Sequence, residues 1–308
     1  YSALLVVRNN MRVLISGASG LVGTELQSQL TALGHTPVVL VRGEATKPNE
    51  VHWNPATGEL DHTVLENIDA IVNMAGATTG KLPWTKKYKK ELIESRINST
   101  RTLVQAMAKT TNKPKVLVSG SASGIYGDSG DVLLNETAPR GEGFLADLAT
   151  AWEREAMKAP SGVRVVLART TMVLSRQKGA LGRLLPILRA GVGGKLGNGK
   201  QWWAWISLPD EARAIIHLIN TPSASGPYNL TAPEPATCKQ LVQELGKALR
   251  KPTLIPVPAL ALKLAFWEGA QELLLCSQKM SADRLLATGF VFNHPTLKSA
   301  CEWVVAKS

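Results

Sequence analysis

Seven residues constrain this chain more than any others: Gly17-Ala18-Ser19-Gly20-Leu21-Val22-Gly23. The run before them, Met11 to Ser16 (MRVLIS), is short, apolar and rich in branched side chains, the pattern of a fully buried strand. After them, Leu21, Val22, Leu26, Leu30 and Leu33 recur at helical spacing, and Gly34 follows as a helix stop. A chain that passes from strand to helix in so few residues needs glycine, which tolerates the sharp turn and lets a ligand approach the backbone. The start of the helix offers free N–H groups and the positive end of its dipole. Strand, glycine turn and helix in this order suit the pyrophosphate of a dinucleotide. The spacing is GxxGxxG rather than GxGxxG.

The alternation continues. Pro37–Val41, Asp69–Met74, Lys115–Ser119 and Val163–Ala168 read as strands, and Thr85–Lys109 and Phe144–Lys158 as helices. Strands alternating with helices predict an α/β fold, a doubly wound parallel sheet with helices on both faces. Beyond about residue 175 the elements shorten and the connections become Gly- and Pro-rich. They are Gln201–Ile206, Pro209–Asn220, Tyr228–Leu230 and Cys238–Leu249. The stretch Pro258–Cys276, broken by Lys263, Glu268 and Glu272, reads as a helix with one wet side. The expected division is a nucleotide-binding domain over 11–175 and a smaller mixed substrate lobe over 176–308, with some chain exchange between them. Residues 1–10 are set aside as a tag or the remnant of an upstream segment, because the chain starts at Tyr1, and a further upstream domain is possible on this reading.

Charge and composition remove several function classes. The net charge is +11, yet aromatics are only 5%, and no stripe of basic and aromatic residues offers stacking for bases. Lys86, Lys87, Lys89 and Lys90 read as a solvated helix face. No nucleic-acid partner is expected; the positive excess suits an anionic small molecule. No apolar run reaches the eighteen or so residues of a membrane span, so no membrane partner is expected either. Cys238, Cys276 and Cys301 are odd in number and lack a CxxC, and the five histidines have no ligand spacing. No disulfide or metal site is expected, which suits a reducing cytoplasm. Gly194–Lys200 fits GxxxxGK, but Gln201 stands where Ser or Thr would hold Mg²⁺ and no strand precedes it, so a P-loop is excluded in favour of a flexible loop near a cleft.

At the end of the second strand stands Arg42, where an NAD binder would carry Asp or Glu for the ribose hydroxyls. Arg42 instead suits a 2′-phosphate by charge and by paired hydrogen bonds, which points to NADP(H) as the cofactor.

Further stretches carry a resemblance. They are Asn73-Met74-Ala75-Gly76, Ser95-Arg96 with Ser99-Thr100-Arg101, Ser119-Gly120-Ser121-Ala122 and Tyr126-Gly127-Asp128, then Gly199-Lys200-Gln201-Trp202 and Asn229-Leu230-Thr231-Ala232-Pro233-Glu234-Pro235. With these the chain, over residues 11 to 306, resembles the extended or atypical branch of the short-chain dehydrogenase/reductase superfamily. More closely it resembles the "epimerase family protein" group. The resemblance implies a Rossmann-type domain in which Gly17, Ser19, Gly20, Leu21, Val22 and Gly23 hold the cofactor phosphates. It implies that Met74, Ala75 and Gly76 lie beside the adenosine ribose and phosphates, and that Glu91 and Arg96 contact the cofactor. It implies that the backbone of Arg169 to Val173 meets the nicotinamide amide. The spacing adds that Arg96 and Thr100 share one helix face. Glu91 suits a solvated helical acid equally well.

One departure bears on activity. The superfamily's proton relay is a Ser or Thr followed by Tyr and Lys in Y-x-x-x-K, the Lys lowering the phenol's pKa. That pair aligns on Phe144 and Leu148, which carry neither proton nor charge. Ser121 best fits the superfamily serine, with Ser123 as the alternative, and Tyr126 is either a pocket wall or a substitute proton donor. Asp147 and Glu153 read as exposed helix charges. In the Gln201–Ile206 strand, alternation puts Trp203 and Trp205 on one face and Trp202 on the other, either packed or lining an apolar substrate pocket. The expected function is that of an NADP(H)-binding protein, nucleotide-sugar-epimerase-like or oxidoreductase-like, with an unidentified small-molecule substrate. The alternative is an NADPH-holding sensor or scaffold that does not catalyse.

Overall fold

The computed structural model describes residues 10–176 and 178–306. The reading of residues 1–10 as a tag or remnant falls, Asn10 apart, outside them.

The first half runs β1 (Arg12–Ser16), α1 (Leu21–Ala32), β2 (Thr36–Val41), β3 (Glu50–His52), β4 (Ala70–Asn73), α2 (Lys86–Lys109), β5 (Val116–Ala122), β6 (Leu133–Leu134), α3 (Phe144–Ala156) and β7 (Arg164–Thr170). The second runs β8 (Met172–Leu174), α4 (Gly179–Arg189), β9 (Trp205–Ser207), α5 (Leu208–Ile219), β10 (Gly226–Leu230), α6 (Cys238–Leu249), α7 (Ala259–Phe266), α8 (Glu268–Ala270), β11 (Lys279–Met280), α9 (Asp283–Leu286) and α10 (Leu297–Val305). Seven strands form one sheet in the order β3-β2-β1-β4-β5-β7-β10, and every pair is parallel.

The strands read as continuous apolar runs because each feeds two cores at once. Val13 and Ile15, Val116 and Val118, and Val166 and Ala168 pack in the layer that holds α1 and α5. Leu14, Ile71, Leu117 and Leu167 pack in the opposite layer with Leu103 and Met107 of α2. A strand buried on both faces has no polar positions to alternate. The strand order reverses between β1 and β4, so the crevice at their carboxyl ends is where an open sheet of this type takes a ligand.

Part of the chain after residue 175 returns to the main sheet, an instance of the chain exchange between lobes. Tyr228–Leu230 belongs to β10, which pairs with β7 as an edge of the main sheet, and α5 packs its Ala212, Ile215 and Ile219 into the α1 layer. The main layer therefore extends to Leu230. The smaller lobe has its own core, in which Leu181, Leu185 and Leu188 of α4 meet Leu241 and Leu245 of α6 and Val304 of α10. Trp203 and Trp205 are buried in that core, so they pack rather than line a pocket. Trp202 points elsewhere and donates its indole N–H to Asp131 at 2.7 Å. Of Gln201–Ile206 only the end is strand, Trp205–Ser207 in β9, which pairs with β8.

The stretch Pro258–Cys276 is not one helix with a wet side. It breaks after α7 at Trp267, whose φ is +52°, and continues through α8 into a single π turn. Its two glutamates face partners elsewhere in the chain, and Leu260 and Leu264 face solvent while Leu262 is buried. The three cysteines are buried and free.

Candidate functional site

The turn between β1 and α1 is built for close approach. Gly17 has φ +71°, and a Cβ there would lie 2.6 Å from the Met74 carbonyl oxygen, so the turn presses against the end of β4. At Gly23 a Cβ would lie 2.4 Å from the Gly17 oxygen, which is how the first turn of α1 reaches the loop. Gly20 caps α1 without any side-chain hydrogen bond, and no acid stands in the first turn. The first N–H groups of α1 are thus left for an anion. Ser19 and Gly20 are exposed, while Leu21 and Val22 are half-buried. A Cβ on Gly179 would lie 3.2 Å from Leu21 and 3.7 Å from the Val173 oxygen, so the start of α4, β8 and the phosphate turn meet at one place. Arg42 is exposed at the carboxyl end of β2. The donors and the glycine cradle fit a dinucleotide phosphate.

Behind the turn lies a buried polar chain. The Ser16 hydroxyl donates to Asn73 Oδ1 at 2.6 Å, and the Asn73 amide donates to the Thr100 hydroxyl at 2.8 Å. Thr100 also accepts from the Trp152 indole at 3.0 Å and donates to the Arg96 carbonyl. The Ala75 N–H donates to Ser16 Oγ at 3.3 Å. These bonds fix the Asn73–Gly76 loop relative to β1. Arg96 covers it: a Cβ on Gly76 would lie 3.0 Å from the guanidinium carbon, and Nη1 donates to Ala77 O at 3.1 Å. Burial lowers the Arg96 pKa to about 10. Met74, Ala75, Gly76 and Arg96 are therefore brought together beside the phosphate turn. Glu91 is exposed on α2.

The other end of the site is occupied by side chains that bind one another. Arg169, 7% exposed, donates Nε and Nη2 to Glu153 at 2.8 and 3.0 Å. Its Nη1 donates to the Tyr126 hydroxyl at 2.8 Å and to Glu136 O at 3.2 Å. The guanidinium is consumed by the protein, so only the backbone of Arg169 is left to face a cofactor. Tyr126, 2% exposed, donates its hydroxyl to Asn229 Oδ1 at 2.7 Å, and burial pushes its phenol pKa up. Those partners and that burial count against Tyr126 as a proton donor; it is a strut between β7 and β10. Ser121 is buried and donates to Glu153 Oε1 at 2.6 Å. Glu153, expected to be an exposed charge, is the hub of this network, whereas Asp147 is exposed as expected and pairs with Arg140.

Phe144 and Leu148 lie in an apolar cluster with Trp84, Tyr88 and Leu92. The Phe144 ring is 5.4 Å from that of Trp84. Three titratable groups that the sequence reading did not assign to the site border this cluster. Glu272 accepts from the N–H groups of Phe144 and Leu145 at 2.8 and 2.7 Å, capping α3 across the fold. Burial, with Glu268 beside it, raises its pKa. Glu268 pairs with Lys89, whose Nζ lies 4.8 Å from the Phe144 ring centre. No group of metal-ligating side chains occurs among the described residues.

Residues 13–231 of the chain match the model of the NAD dependent epimerase/dehydratase family. The chain belongs to that family. Residues 257–304 match a domain of unknown function. An "epimerase family protein" of Mycobacterium bovis is 40% identical over 299 residues, which cover 97% of this chain and 99% of the relative. One of Staphylococcus aureus is 36% identical over 304 residues, covering 96% and 99%. Among solved structures, the human epimerase family protein SDR39U1, determined with NADPH, superposes with a TM-score of 0.89 at 32% identity, covering 96% of this chain and 99% of the human one. A UDP-N-acetylglucosamine 4-epimerase of Bacillus cereus superposes with a TM-score of 0.77 over 96% of this chain and 98% of its own, but at 17% identity the likeness is one of fold alone. Membership of the epimerase/dehydratase family supports a nicotinamide dinucleotide as the cofactor.

Proposed function

We propose that the chain binds NADP(H) in preference to NAD(H) and acts as an oxidoreductase-like or epimerase-like protein on an unidentified small molecule. The observation that carries this reading is Arg42, exposed at the carboxyl end of β2, the strand that pairs with β1. A guanidinium there meets a 2′-phosphate, where a carboxylate would repel it. The human relative solved with NADPH supports the same choice. When bound, the cofactor supplies or accepts a hydride at its nicotinamide. The chain's own residues bind and orient: the α1 N–H groups hold the pyrophosphate, Arg96 fixes the loop at Gly76, and the Arg169–Val173 backbone receives the carboxamide. Phe144, Leu148 and Trp84 exclude water from the face where the superfamily keeps its relay.

A second reading, an NADPH-holding sensor or scaffold, is favoured by Phe144 and Leu148, apolar side chains that carry no proton for transfer. Two measurements test these readings. NADPH and NADH titrations of the wild type and Arg42→Ala test cofactor choice. Removing a charged hydrogen bond worth about 1.5 kcal/mol or more weakens NADPH roughly tenfold and leaves NADH nearly unchanged. Equal losses would rule out 2′-phosphate recognition by Arg42. A panel of sugar nucleotides, ketones and enones with NADPH tests catalysis, and no turnover with tight NADPH binding favours the sensor.

A further inference from the structure

Helix α7 wears its apolar stripe on the outside. Leu260 and Leu264, spaced i and i+4, lie on one face and are 69% and 72% exposed, and Trp267, at the break that follows the helix, is 58% exposed. Leu262 is the only buried residue of α7. A surface helix of a globular protein shows the reverse arrangement. The segment leading into α7 continues the surface, with Leu254 at 83% and Ile255 at 53%. That segment is tied to the chain leaving α4, the Ile255 N–H donating to Gly193 O and the Val257 N–H to Lys195 O at 2.9 Å. On this neighbouring stretch Ile187 and Val192 are also exposed. Half of the large hydrophobic side chains exposed among the described residues are therefore gathered on one side of the small lobe.

The chain around this surface is basic. Residues 176–205 and 236–267, the two segments that supply these side chains, hold eleven lysines and arginines against one glutamate, Glu244. That is an excess of ten in a chain whose whole net charge is +11. Arg183, Arg189, Arg250, Lys251 and Lys263 are all exposed, and none is in a salt bridge among the described residues. A Cβ on Gly191 would lie 3.6 Å from Pro252, which places the end of α4 with Arg189 beside Lys251.

We infer that this face is an interfacial docking surface for an anionic lipid bilayer, with Leu260, Leu264 and Trp267 entering the headgroup boundary and the surrounding cations meeting lipid phosphates. Leucine and tryptophan with a rim of lysine and arginine is the composition of membrane-surface helices. Each cation near an anionic leaflet adds about 1 kcal/mol of attraction. A second copy of the chain fits the face poorly, because two-fold pairing brings like-charged rims together. No helix of the described residues is long and apolar enough to cross a membrane, so the contact is superficial. The expectation of no membrane partner rested on span length, which does not bear on a surface contact.

The test is flotation of the full chain with vesicles of phosphatidylcholine alone and with about one-third phosphatidylglycerol. The wild type is expected to float with the anionic vesicles at low salt, to be released by high salt, and to ignore the neutral ones. The variant Leu260→Ser, Leu264→Ser, Trp267→Ser, checked for native circular dichroism, is expected to bind at least about tenfold more weakly, as is Arg250→Ser with Lys251→Ser. Absence of flotation by the wild type overturns the inference. So does binding that survives the apolar variant and is matched by a DNA duplex, since that is charge alone. A vesicle-free dimer abolished by the apolar variant assigns the face to a second copy instead.

Discussion

Glu211 offers a sharp test of how burial controls charge near the site. It stands in the first turn of α5, fully buried, next to Asp210, which is also fully buried. Asp210 is surrounded by donors: the N–H groups of Asn293 and His294 at 2.8 Å each, the Ser207 hydroxyl and the Arg213 guanidinium at 2.9 Å. Glu211 accepts from the Thr170 hydroxyl at 2.6 Å, and its Oε2 has no partner among the described residues. Burial pushes its carboxyl up to about 8 from an ordinary 4.5, against the pull of Thr170. At neutral pH the folded chain therefore holds a proton that the unfolded chain has released. The sign follows: the stability this group contributes is complete below about pH 4.5 and is lost as pH rises through about 8, where the folded protein must bury a carboxylate. At 1.36 kcal/mol per pH unit, the loss across that window is roughly 4 to 5 kcal/mol. Glu211→Gln removes the titration while its amide oxygen still accepts from Thr170. The extra buried N–H of the amide shifts stability by an amount independent of pH, so the slope is the readout. Urea unfolding of both proteins, followed by tryptophan fluorescence from about pH 5 to about pH 9, should show the wild type losing that stability relative to the variant. Stability curves that stay parallel to within about 0.5 kcal/mol would refute the reasoning.

Three further substitutions probe the site. Gly23→Ala sets a Cβ 2.4 Å from Gly17 O and 2.8 Å from Ala18 Cα, backbone atoms that cannot swing aside; NADPH binding should be lost, with destabilisation of about 1 to 3 kcal/mol by thermal melting. Glu153→Ala strands the Arg169 guanidinium, and urea unfolding should show a loss of about 3 to 5 kcal/mol. Tyr126→Phe removes a hydroxyl shared by Arg169 and Asn229, costing about 1 to 3 kcal/mol with cofactor affinity unchanged; if turnover vanishes while stability holds, Tyr126 is a proton donor after all.

The phosphate end of the site was legible because its signals are local. Strand, turn and helix follow one another within residues 11 to 34, and the glycines sit where a backbone approach requires them. The main strands were legible for the same reason, since burial on both faces leaves an uninterrupted apolar run. Strand β3 was missed: it has three residues, none buried, and pairs only with β2 at the edge. Tyr228–Leu230 was recognised as an element, but its place in the main sheet was not legible, because sheet membership depends on a partner, β7, roughly 60 residues away in sequence. The stretch after Pro258 was inverted. Polar residues in an apolar run read as a wet side, but Glu272 caps α3 from 128 residues away and Glu268 pairs with Lys89 from 179 away. No sequence window contains those partners. Glu153 was misread for the same reason, its role being visible only once β7 brings Arg169 across α3.

These placements divide the site into two ends of opposite character. At the phosphate end the protein leaves donors unsatisfied, which is the condition for binding an anion strongly. At the other end it satisfies its own groups: Arg169 is spent on Glu153 and Tyr126, Tyr126 on Asn229, and Ser121 on Glu153. A hydroxyl already donating to a half-buried carboxylate gives up that bond, and leaves the carboxylate short of a donor, before it can serve a substrate. Of the two serines the sequence leaves open, Ser121 is therefore the more costly to recruit. Ser123 is half-buried at the carboxyl end of β5, and its hydroxyl makes no hydrogen bond among the described residues. If the chain moves a proton at the nicotinamide end without rebuilding the Arg169 network, Ser123 is the hydroxyl positioned to take part, and its replacement by alanine should leave folding and NADPH affinity intact while removing turnover.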